Sequence, residues 1–98
     1  MASSASSSDA RGALRARALA IDAERLAIER EIAGCLATLG ENATAPLVDA
    51  EGFPRADIDV AEVARVRSVL SRLRTDLKLK MKEVESAMLA AMASETAE

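Results

Sequence analysis

Histidine, tryptophan and tyrosine are absent from this chain, and phenylalanine and cysteine occur once each, as Phe53 and Cys35. Without histidine, and with a lone cysteine on an apolar helix face, a Cys–His nucleophile pair and a Cys/His metal set are both excluded. A single thiol cannot close an intramolecular disulfide, which fits a reducing compartment. No glycine-rich phosphate loop occurs, and no apolar run approaches the roughly 20 residues that cross a bilayer. Catalysis, a bound metal, a cofactor and a membrane span are therefore not expected.

What is present favours helix. Of 98 residues 50% are hydrophobic, but much of that is alanine, and aromatics make up 1%. Alanine favours helix and buries little, so a helix-rich chain with a thin core is expected. Charged residues are 30% of the chain and the net charge is −3, which predicts a soluble protein with no overall attraction for nucleic acid.

Residues 1–12, MASSASSSDARG, are small and polar and are expected to form a disordered tail. Serines with Arg11, Arg15 and Arg17 would suit a transit peptide, but Asp9 and Asp22 intrude and the arginines run on into a helix. Over 13–39 the apolar positions Leu14, Ala18, Ile21, Ile28, Ile32, Cys35 and Leu39 recur at helical spacing. Arg25 interrupts that stripe, its stem expected along the seam with its charge in water. Gly34 suggests a close approach by a second helix, and Gly40 stands where a helix end favours positive φ. Leu19, Leu26 and Leu36 widen the stripe beyond what one partner helix covers.

A second helix is expected over 59–93, opened by Asp59 as N-cap with Glu62 completing a capping box. Val63, Val66, Leu70, Leu73, Leu77, Val84 and Ala91 form its stripe, Lys80 replaces one apolar position, and Met81, Met88 and Met92 lie on an adjacent row. Residues 94–98 are expected to fray, since Glu95 and Glu98 sit unfavourably at a helix C-terminus. Folding back at the 40–58 connector gives an all-α, antiparallel two-helix coiled-coil hairpin. Facing residue numbers would sum to about 99 for helices of such length. That register places Cys35 or Leu36 near Val63, Ile32 near Val66, Ile28 near Leu70, Ile21 near Leu77 and Leu14 near Val84. Such a hairpin leaves spare apolar surface for a partner or for weak self-association.

The connector stretch LVDAEGFPRADIDV, residues 47–60, is particular for a mere turn. Its carboxylates Asp49, Glu51, Asp57 and Asp59 alternate but lack the spacing of a calcium loop, so a cap and solvated charges are favoured. Proline at 54 pushes Phe53 into an extended conformation. The favoured role for Phe53 is to plug the open end of a thin core, and that for Arg55 is to bind a partner; the other reading for Phe53 is an aromatic anchor presented to the partner beside Arg55. The basic run Arg65, Arg67, Arg72, Arg74, Lys78, Lys80 and Lys82 would suit a phosphate backbone. It is spread round the helix without aromatic stacking partners, which favours a solvated face or an acidic protein partner; a basic coiled-coil scaffold or RNA-binding module is the alternative.

LVDAEGFPRADIDV, followed by V-x-x-x-R-x-x-L-x-x-L and D-x-K-x-x-M-K-x-V-E, resembles the N-terminal domain of the proteasome regulatory-particle assembly chaperones, the family of 26S proteasome non-ATPase regulatory subunit nine. The resemblance is strong over 47–85 and weaker over 13–39. It implies a helical hairpin, acting in the cytoplasm and nucleus, that docks on the C-terminal domain of one AAA ATPase subunit of the proteasome base. The family's second domain, a PDZ module, is not contained in these residues, and Ala64 and Leu77 replace an arginine and a histidine of the family pattern. The candidate partner-binding set is Phe53, Pro54, Arg55, Asp57, Arg65, Arg67 and Arg74. Replacing Arg55 and Arg67 together by alanine would then weaken ATPase binding and leave helicity intact.

Overall fold

The computed structural model describes residues 2–96, and side chains from residue 8 onward. Two long helices, α1 (Ala2–Leu39) and α2 (Val60–Thr96), lie antiparallel along each other, with a 3-10 turn, Gly40–Ala43, directly after α1. No strand occurs among the described residues, and the hairpin extends over 77 × 15 × 15 Å.

Both helices are longer than their sequence patterns suggested. α1 runs through most of the segment assigned to a disordered tail. Nothing between Ala2 and Arg11 is glycine or proline, and alanine recurs there, so nothing local stops the helix. Met1 and the side chains of residues 2–7 lie outside the described residues, as do residues 97–98 of the expected fray. Within them α2 continues through Thr96, where Glu95 pairs with Arg15 of the opposite helix.

The start of α2 follows from one side chain. Asp59 Oδ1 accepts a hydrogen bond from the Glu62 N–H at 3.0 Å, and the Asp59 carbonyl accepts from the Val63 N–H at 3.0 Å. Only half of the capping box forms. The Glu62 carboxylate turns to Arg65 instead, at 2.6 and 2.9 Å, which holds the Glu62 carboxyl below its usual range. At the other end of the connector Gly40 adopts φ +52°, the left-handed conformation that lets α1 end there.

The core is thin and divided. One cluster joins Ala18 and Ile21 to Val84 and Ala87; the other joins Leu39 to Val66 and Leu70, with Ile32, Cys35, Ala43 and Val63 packed against it. No described side chain is completely buried. The helices meet in a different register from the one expected. Ile21 shares its cluster with Val84 rather than Leu77, and Glu24 reaches Lys80 at 2.8 Å. The displacement is about one and a half to two helical turns.

Two causes are visible. Gly40–Ala43 keeps winding, so the first arm is prolonged and Ala43 joins the core. The displaced register also sets the two polar interruptions of the seam, Arg25 and Lys80, at the same level of the rod. There Arg25 pairs with Asp22 and Glu29 at 2.7 and 2.8 Å, and Lys80 with Glu24 and Glu83 at 2.8 and 3.1 Å. Their stems are mostly covered while their charges stay paired at the surface, the expected behaviour of long cationic side chains in a seam. Gly34 marks no close approach, because a Cβ added there would meet nothing within 4 Å.

Candidate partner-binding surface

The connector is a small structure in its own right. The Asp49 N–H donates to the Phe53 carbonyl at 2.7 Å, the Gly52 N–H to the Asp49 carbonyl at 3.1 Å and the Arg55 N–H to the Leu47 carbonyl at 3.0 Å. Val48 and Pro54 form an isolated antiparallel bridge across this turn. Gly52, at φ +87°, supplies the left-handed residue that closes it. The Asp49 carboxylate accepts from the Glu51 and Phe53 N–H groups at 2.9 and 3.0 Å. Asp49 is thus a turn-former, and no cluster of potential metal ligands occurs among the described residues.

Two arginines fasten the turn to the helices. Arg55 grips Asp57 with two hydrogen bonds, at 3.1 and 2.7 Å, and reaches Asn42 Oδ1 at 3.1 Å and the Pro46 carbonyl at 3.2 Å. That hydrogen bonding holds the Asp57 carboxyl below its ordinary range and raises the Arg55 guanidinium. Arg67, from α2, donates to the Asn42 carbonyl at 2.9 and 2.7 Å and also to the Ala45 carbonyl. Asn42 is held from both sides, its amide oxygen by one arginine and its backbone oxygen by the other.

These contacts divide the residues singled out in the sequence. Arg55, Asp57 and Arg67 are occupied in shaping the connector. Phe53 is 63% exposed and belongs to neither core cluster, so it does not plug the hairpin. The connector end is closed instead by the arginine hydrogen bonds and by Leu39, Ala43 and Val63. Pro54 is exposed within the bridge, Arg65 is exposed but paired with Glu62, and Arg74 is exposed with no ion pair among the described residues. Of the basic run, Arg65, Arg67 and Lys80 are engaged with groups of the chain itself.

An accessible apolar strip lies along the half of the rod away from the connector. Met81, Val84, Glu85, Met88 and Leu89 line a shallow groove with Arg25. Sharing Met88, a second groove continues past Leu19 and Met92 to the Arg15–Glu95 pair. Leu19, Met81, Leu89 and Met92 are each more than half exposed. The heptad steps Arg67, Arg74, Met81 and Met88 place these residues along one row of α2. The methionine row was visible in the sequence as a second stripe; which side of the pair it occupied was not, because that depends on the register.

A two-helix rod with polar contacts spent on its own connector and an uncovered methionine-leucine strip has the form of a helical protein-binding module. Residues 18–92 match the family model of the Nas2 N-terminal domain, and the chain belongs to that family. It is similar to 26S proteasome non-ATPase regulatory subunit 9 of Mus musculus, at 49% identity over 43 residues, 44% of this chain and 19% of the relative. The protein of the same description from Homo sapiens is 46% identical over 43 residues, and that from Drosophila melanogaster 49% over 41, each with 19% of the relative covered. The chain thus spans about a fifth of the length of the curated relatives it matches. No solved structure matches it.

Proposed function

We propose that this chain is a non-enzymatic module for assembly of the proteasome regulatory-particle base, holding the C-terminal domain of one AAA ATPase subunit in the cytoplasm and nucleus. Membership of the Nas2 N-terminal domain family and the similarity to 26S proteasome non-ATPase regulatory subunit 9 support the proteasomal setting. The observation that carries the binding role is the exposed strip formed by Leu19, Met81, Met88, Leu89 and Met92. Contiguous apolar surface of this kind on a small protein marks an interaction site. Methionine side chains adapt to a partner's contour at little strain. Burying the strip supplies the affinity, while Arg74, on the same row and without an ion pair among the described residues, meets acidic groups at the rim.

Calorimetric titration of the chain against the isolated C-terminal domain of each proteasomal ATPase tests this reading. Saturable one-to-one binding to a single one of them is expected; heat from none of them would refute it.

A further inference from the structure

The connector tip stands apart from the methionine strip along the rod. Along α2 from Val60, Met81 and Met92 lie roughly 30 and 50 Å away. The tip displays Phe53, the only aromatic side chain in the chain, largely in solvent. Its backbone is fixed in place: the Phe53 N–H donates to Asp49 Oδ1, the Phe53 carbonyl accepts from the Asp49 N–H, and Pro54 follows in a bridge to Val48. Val48, on the facing arm of this turn, is also half exposed. A ring displayed on an ordered backbone loses little freedom on binding, and buried aromatic anchors dominate interface energetics.

The connector's charge is predominantly negative. Between the helices stand Glu41, Asp49, Glu51, Asp57 and Asp59 against Arg55, with Arg67 of α2 as the second cation held on the connector, through the Asn42 and Ala45 carbonyls. Arg55 is neutralised by Asp57, Asp49 and Asp59 accept backbone N–H groups, and Glu41 and Glu51 have no ion pair among the described residues. The tip is therefore an apolar knob in a negative field, complementary to an apolar pocket rimmed by cationic side chains.

We infer that the tip is a second docking point, separate from the strip, at which Phe53 enters an apolar pocket rimmed by lysine or arginine on the protein partner. Arg55 and Arg67 are positioning residues for it. The inference rests on the proposed function for its probe, the complete ATPase subunit whose C-terminal domain the chain binds. Titrations compare the unaltered chain, Phe53→Ala, and a chain carrying Glu41→Gln with Glu51→Gln.

Phe53→Ala is expected to weaken binding at least about tenfold with helical circular dichroism and melting midpoint unchanged, since the exposed ring belongs to neither core cluster. The glutamine pair is expected to weaken binding and to flatten its salt dependence. Binding by Phe53→Ala within about twofold of the unaltered chain overturns the inference and leaves the proposed function standing. A loss with Phe53→Ala but none with the glutamine pair overturns the cationic rim. Failure of the unaltered chain to bind any complete ATPase subunit overturns the proposed function, and the inference with it.

Discussion

Arg67 shows how a residue that reads as surface charge acts as a structural tie. In sequence it belongs to a basic run on α2; in the fold it donates to two connector carbonyls. Hydrogen bonds from a charged donor contribute more than neutral ones, so Arg67→Ala is expected to destabilise the hairpin by about 1–3 kcal/mol, read from urea unfolding. Replacing Arg55 and Arg67 together therefore tests connector integrity as well as binding. Asp57 gives a pH readout. Its folded-state carboxyl titrates below its ordinary value near 3.8 because Arg55 donates to it. The tie is thus fully present above the ordinary carboxylate range and is lost as pH falls through the lower folded value. An NMR titration should place the Asp57 midpoint below that of a connector peptide, and Arg55→Ala should bring it back up. The Asp59 cap was legible because capping is local, three residues from carboxylate to N–H. The exposure of Phe53 and the internal use of Arg55 were not, because both depend on the connector folding back on itself.

Among the elements, the two helices and the connector between them were written in the apolar spacing and in the Asp59 cap. Their register was not. Apolar stripes are nearly self-similar after one heptad, so a slide of that size keeps most pairs apolar. What distinguishes the registers is the polar positions. In the expected one Arg25 would oppose Arg74; in the observed one it stands level with Lys80, each with its own acids. Buried or half-buried polar residues fixing register is a well-attested use of such groups. Replacing both Arg25 and Lys80 by leucine is expected to raise the melting temperature and loosen the register. Cysteine pairs engineered for the observed register would then cross-link less selectively. Removing the cap by Asp59→Ala should cost about 1 kcal/mol of stability.

For the whole molecule, what matters is how little is buried. Two small clusters hold a rod 77 Å long, so truncating one member, as in Leu70→Ala, is expected to cost about 2–5 kcal/mol and to unfold much of the chain at moderate temperature. The same shortage leaves the strip uncovered, and a partner that covers it adds stability that grows with the logarithm of its affinity. The most direct test of the strip is calorimetric titration of the Met88→Glu chain, beside the unaltered chain, against the ATPase C-terminal domain that the latter binds. Met88 is common to both grooves and exposed, so the substitution should leave the helices intact. Affinity should fall by about a hundredfold or more if Met88 is a central anchor. An affinity equal to that of the unaltered chain would mean that the partner is held elsewhere on the hairpin.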